Sequence, residues 1–149
     1  MNTQNDPWDL GDAKRLRSTE ELKEGAFCEY VCEVLQAMPI QYGKSRVLVV
    51  TDYTENPHLP YFNHHKATTP QGRRSLRVSL WDDHAFLSTD LGVEQGHLLL
   101  LKNVVPKYPR MSQIIEVVMH GTRSYQRVKP KRSVVILDEQ HQLVRELLK

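Results

Sequence analysis

The chain has 149 residues, 40% of them apolar and 26% charged, with a formal net charge of +2. That length supports one domain with a substantial core rather than two, and the composition excludes disordered, collagen-like and disulfide-stapled classes. No apolar run approaches the roughly 18 residues of a membrane span, and MNTQNDPWDLGD lacks the charged-then-apolar pattern of a secretory leader.

In chain order, residues 1–18 read as a flexible acidic tail and 19–149 as the folded domain. Ser18-Thr19-Glu20-Glu21 has the form of a capping box, which predicts a short helix closed by Gly25. FCEYVCEVL (27–35) alternates, with Cys28, Tyr30, Cys32 and Val34 on one face and Glu29 and Glu33 on the other. Cys28 and Cys32 are expected as reduced core thiols. RVLVVTDYT (46–54) is a β-branched run, expected to be a strand buried on both sides. Residues 55–74 form a long loop bearing proline, histidine and glycine, a length more typical of functional segments.

SLRVSLW (75–81) alternates cleanly, placing Leu76, Val78 and Leu80 inward and Arg77, Ser79 and Trp81 outward. A short helix is expected in DDHAFLSTDLGVEQG, then strands HLLLLKNVV (97–105) and IIEVVMH (114–120). SVVIL and the amphipathic DEQHQLVRELLK close the chain as a strand and a helix. Three strands, a short helix and two strands predict an all-β chain with small helices: a five-stranded Greek-key barrel of the OB (oligonucleotide/oligosaccharide-binding) fold, with a short N-terminal and a C-terminal helix. A different small barrel with the same strand count fits the pattern too.

Charge is unevenly distributed. Residues 102–132 hold Lys102, Lys107, Arg110, Arg123, Arg127, Lys129, Lys131 and Arg132 against Glu116 alone. Such a concentration is the usual footprint of a polyanion partner.

Catalysis and metal binding find little support. The seven histidines include His58, His64 and His65 in the long loop, but no pair has zinc-ligand spacing joined to a second half-site. Neither a phosphate cradle nor a nucleophile elbow is present, and the adjacent Asp82 and Asp83 would point to opposite faces of a strand. The chain reads as a non-enzyme without a cofactor or metal.

Aromatic and basic residues recur together instead. Tyr42 lies beside Lys44 and Arg46, Tyr53 follows Asp52, Tyr61 precedes Arg74 in the long loop, and Tyr108 follows Lys107. Tyr125 falls between Arg123 and Arg127, with Lys129 just beyond. Gathered at one mouth of a barrel, these suit a single strand, whose bases are free to stack, better than a duplex. Outward Trp81 is the best stacking platform, and Arg77 shares its face. Asp82 is unsuited to a phosphate but can accept hydrogen bonds from a base edge, guanine above all.

The segments SLRVSLWDDHAFLS, GHLLLLKNV and SQIIEVVMHGTRSYQR resemble the second OB domain of the protection-of-telomeres family. Trp81-Asp82-Asp83-His84 matches its aromatic-Asp-x-His motif, and His120-Gly121-Thr122-Arg123-Ser124-Tyr125-Gln126 its His-Gly-Gly-Thr-Ser-Tyr-Gly element. Thr51-Asp52-Tyr53-Thr54 stands where the family has Trp-Asp-Gly-Thr. The resemblance implies a nuclear protein of the chromosome telomeric region that binds single-stranded G-rich DNA. By position, Trp81 and His120 would stack on bases and Asp82 would accept from a base edge. Thr54, Thr122, Ser124, Tyr125 and Arg127 would lie near the strand. An adjacent OB domain and telomere-capping (shelterin) proteins would be partners, and the isolated domain a monomer. Two other readings are a protein-interaction OB module and an RNA-binding OB domain.

Overall fold

Period-two segments dominate this chain, and they close on one another. The computed structural model describes residues 15–59, 72–108, 115–120, 133–138 and 140. Its strands are β1 (Cys28–Ala37), β2 (Ser45–Thr51), β3 (Ser75–Trp81), β4 (Leu98–Lys107), β5 (Glu116–Met119) and β6 (Val134–Leu137). One α-helix, α1 (Asp83–Asp90), joins β3 towards β4. Strand order is β1-β2-β3-β5-β4-β6, and β1 pairs again with β4, so five strands form a closed barrel. All neighbours are antiparallel except β3 and β5, which run parallel. This is the OB barrel that the order of segments predicts.

Alternation decides which side chains fill it. Cys28, Tyr30, Cys32 and Val34 of β1, Leu48 and Val50 of β2, and Leu76, Val78 and Leu80 of β3 all lie in the core. Both cysteines are free buried thiols, and burial raises the thiol pKa of Cys28 to about 11. β2 departs from expectation: Val47 and Val49 are half-buried, so this strand is sealed on its inner face and partly open outside.

β4 is long enough to serve three neighbours. β1 runs along one side, while β6 pairs with Leu98–Leu101 and β5 with Val105–Lys107 on the other. Between those two stretches Asn103 adopts a positive φ of 61°, the change of direction that lets one strand feed both. β6 is therefore a sixth strand on the barrel's edge. The predicted C-terminal helix lies outside the described residues.

The N-terminal side differs most. The expected helix is a single 3-10 turn, Thr19–Glu21, with the Glu21 carboxylate accepting from Ser18 N (2.9 Å). Thr19 is drawn into the barrel instead of starting a longer helix: its N–H donates to Asp52 (2.7 Å), its carbonyl accepts from Asn56 (2.9 Å), and its hydroxyl meets Tyr30 Oη (2.5 Å). Arg15–Ser18, assigned to the tail by composition, run beside β1, with Leu16 bridging Glu29 and Arg17 N donating to its carbonyl (3.0 Å). Glu29 is consequently buried rather than outward and open, and its carboxylate accepts from Asn103 N (2.5 Å).

Candidate nucleic-acid interface

Register brings the candidate residues together. Ser45 lies opposite Trp81 on the β2–β3 pair, and the contact continues past the strand as Asp82 N donates to Lys44 O (2.7 Å). On its other side β3 pairs with β5 as far as Leu80–Met119, so Trp81 and His120 are the next residues on neighbouring parallel strands. One end of the β2–β3 ribbon thus gathers Lys44, Trp81, Asp82 and His120. Tyr42 joins them from the Gln41–Ser45 turn, where Tyr42 (φ 54°) and Gly43 (φ 67°) supply the two positive φ angles of a tight hairpin.

These groups face solvent. Trp81 is 41% exposed and Tyr42 95% exposed. Asp82 has φ 50° and ψ −118°, a corner conformation that glycine usually fills and that costs another residue about 1–3 kcal/mol. Although it stands at the start of α1, its side chain makes no capping bond, and it has no hydrogen-bond partner among the described residues. A strained backbone therefore holds an unengaged carboxylate next to an exposed indole.

His120 is exposed on the face it shares with Glu116 and Val118. Its imidazole pKa is lowered from the ordinary value of 6.5, first through partial burial and then through Lys107 and His84, which favours the neutral ring. His84, on the first turn of α1, is buried: Nε2 lies 2.9 Å from His120 O and Nδ1 2.6 Å from Ser133 Oγ. A carbonyl can only accept, so Nε2 carries the proton.

The other end of the ribbon looks similar in sequence and differs in kind. Asp52 is buried, with one carboxylate oxygen accepting from Thr19 N and the other from Thr54 N (3.0 Å) and Thr54 Oγ1 (2.8 Å). That side-chain turn ends β2 at Thr51, before the predicted Thr54. Tyr53 is 40% exposed, but its hydroxyl donates to Glu33 (2.8 Å); burial and that bond raise its pKa to about 12. Arg74 donates to Tyr53 O and forms an ion pair with Glu55 (2.6 Å). The expectation of a single mouth is corrected. Six residue steps, about 20 Å, separate the Thr51–Ser75 pair from Trp81, and Asp52, Tyr53, Thr54 and Arg74 lie beyond that pair.

Between the two ends the outer face carries exposed Arg77 and half-buried Ser79, flanked by Val47, Val49 and Val118. Lys107 lies opposite Glu116 on this side and is close enough to influence His120. Tyr108 is turned to the protein, edge-on to His58 at 5.3 Å, with its N–H on Glu24 (2.8 Å). Arg46 is likewise corrected. It is 8% exposed, and its guanidinium donates to Met38 O (2.8 Å), Ser88 Oγ (3.1 Å) and Val93 O (2.6 Å), holding α1 and the turn after it against β2. Each of its three nitrogens is thus engaged within the protein rather than presented to a phosphate.

Tyr61, Thr122, Ser124, Tyr125, Arg127 and Lys129 lie outside the described residues. Sequence reasoning named Tyr42 without ranking it among the site residues, although Tyr-Gly at a hairpin tip marks an exposed ring. It gave His84 no role; nothing local in the sequence announces bonds to residues 36 and 49 positions away. Among the described residues no group of three metal-ligating side chains occurs.

The barrel, with an aromatic, acidic and basic cluster at one end of its β2–β3 face, defines an OB domain built for an extended ligand. The family model for the ssDNA-binding domain of telomere protection protein matches residues 18–149, and the chain belongs to that family. It is a family of binding domains, not of enzymes. Protection of telomeres protein 1 of Schizosaccharomyces pombe is 33% identical over 98 residues, 63% of this chain and 17% of that protein. Two solved structures share the fold. Schizosaccharomyces pombe Pot1pC bound to ssDNA (CGGTTACGGT) is 23% identical with a TM-score of 0.73, covering 89% of this chain and 94% of that one. Fission yeast Pot1 with ssDNA is 24% identical with a TM-score of 0.73, covering 89% of this chain and 43% of that one.

Proposed function

We propose that this domain, residues 19–149, binds single-stranded, G-rich telomeric DNA along the outer face of β2, β3 and β5, and so serves chromosome-end protection in the nucleus. The observation that carries the reading is the Trp81-Asp82 pair, an exposed indole beside a carboxylate held in a strained conformation with no hydrogen-bond partner among the described residues. The indole and the neutral His120 ring stack on bases, and Asp82 accepts from a base edge, guanine offering both N1–H and N2–H₂. Lys44, Arg77 and Lys107 meet phosphates. The chain spans about a sixth of the curated relative's length, so an adjacent OB domain and capping proteins complete the assembly in this reading.

A labelled CGGTTACGGT oligonucleotide, the sequence in the Pot1pC structure, tests it by fluorescence anisotropy at several salt concentrations. Its complement, the same sequence as RNA, and the duplex serve as competitors. Tight binding to the G-rich DNA is expected, with log affinity falling by about 0.7 per log unit of salt for each phosphate neutralised. Equal affinity for all four ligands would overturn the sequence-selective reading, and no binding would overturn it altogether.

A further inference from the structure

We propose that His84 is a positioning residue of the DNA face, acting through His120 without touching the strand; this rests on the function proposed above. Pairing between β3 and β5 ends at Leu80 and Met119. One residue beyond, no ladder partner among the described residues fixes the backbone that carries His120. What holds it is the His84 imidazole, whose Nε2–H donates to His120 O at 2.9 Å while Nδ1 meets Ser133 Oγ at 2.6 Å. His84 is buried and sits two residues after Asp82, on the first turn of α1. The same short stretch that presents Trp81 and Asp82 therefore also clasps the end of β5. With its carbonyl held inward by His84, His120 keeps the alternation of Glu116 and Val118, and its ring stays on the outer face beside Trp81.

The geometry points to a coupling between two residues that meet different parts of a bound strand. An unclasped His120 would sample several orientations, and ordering one of them on binding costs conformational entropy. A buried imidazole with both nitrogens engaged removes that cost in advance.

A double-mutant cycle on the 149-residue chain with labelled CGGTTACGGT separates this role from a purely structural one. His84→Ala is expected to weaken binding roughly tenfold, the scale of coupling between residues in one hydrogen-bond network. In a His120→Ala background the same change should cost less than about twofold, whereas with Arg77→Ala the two losses should multiply. His84→Gln places an amide N–H where Nε2–H stood and should recover most of the affinity; Ser133→Ala, which removes only the Nδ1 contact, should cost less than His84→Ala. Where His84→Ala does not fold, the His84→Gln and Ser133→Ala variants in the two backgrounds decide the matter. Full affinity in a folded His84→Ala protein would overturn the proposal. So would a loss of equal size with and without His120, since His84 would then be acting on the fold as a whole. Loss of binding by the unaltered chain would instead count against the functional reading itself.

Discussion

The two ends of the β2–β3 ribbon carry nearly the same residues and do opposite things with them. Asp52-Tyr53 and Trp81-Asp82 each set an aromatic beside an aspartate just past a strand, with a base close by. At the Asp52 end the charged and aromatic polar groups are engaged inside the protein: the carboxylate with Thr19 and Thr54, the phenol with Glu33, the guanidinium of Arg74 with Glu55 and Tyr53 O. At the Trp81 end the indole and the Tyr42 ring are exposed, and the half-buried Asp82 carboxylate has no hydrogen-bond partner among the described residues. A polar side chain that builds the fold finds its partner within the fold. One that binds keeps its bonding capacity, here at the expense of a strained backbone at Asp82.

Removing one carboxylate at each end separates the two roles most sharply. Asp52→Ala deletes three accepted hydrogen bonds and leaves the buried Thr19 N–H unpaired, which should cost about 3 kcal/mol of folding stability in urea titrations. Affinity for the G-rich strand, measured where the variant is still folded, should stay within about twofold. A stable Asp52→Ala protein that had lost DNA binding would erase the distinction between the ends.

Trp81→Ala should show the converse. The indole is outward and lies next to His120, so its loss should weaken single-strand binding by about 1–3 kcal/mol while the urea midpoint barely moves. Unchanged affinity in a folded protein would remove the stacking assignment. Asp82→Gly is smaller and splits by sign. Glycine relieves the positive φ of 50°, and folding stability should rise by up to about 1 kcal/mol. Binding to the G-rich strand should weaken at the same time, because the acceptor is gone. A variant that gained both stability and affinity would show that the carboxylate opposes the ligand.

How far the residues announced this arrangement depends on the range of the interaction. β3 was legible residue by residue, because alternation is local and sets Arg77, Ser79 and Trp81 outward against Leu76, Val78 and Leu80 inward. The OB topology followed from the order of segments. Arg46 was misread as a surface base because the groups that bury it, Ser88 and Val93, arrive from 42 and 47 residues away. Asp52 and Arg74 fell to the wrong side of the molecule for a related reason. Proximity in a loop says nothing about which end of a hairpin the loop occupies, and only the pairing of Thr51 with Ser75 and of Ser45 with Trp81 reveals it. The N-terminal helix shrank to one turn because Thr19 has three partners in the barrel, all beyond the reach of a capping-box argument.

The smallest effect reports on His120 alone. Burial, and after it Lys107 and His84, hold its pKa below 6.5, so the folded free domain binds this proton less readily than the unfolded chain. Its contribution to stability is therefore present above the unfolded value and is lost as pH falls from there through the lower, folded one. A bound strand reverses the balance locally, because phosphates beside the ring favour its protonated form. Acidification from about pH 7.5 to about pH 5.5 should thus tighten binding roughly twofold at fixed salt even as the free fold weakens slightly. His120→Gln should flatten that part of the profile, subtracting whatever the other histidines contribute. Binding that weakened on acidification, in a His120-dependent way, would mean that a base seals the ring from every phosphate, leaving the backbone contacts at this end to Lys44 and Lys107 alone.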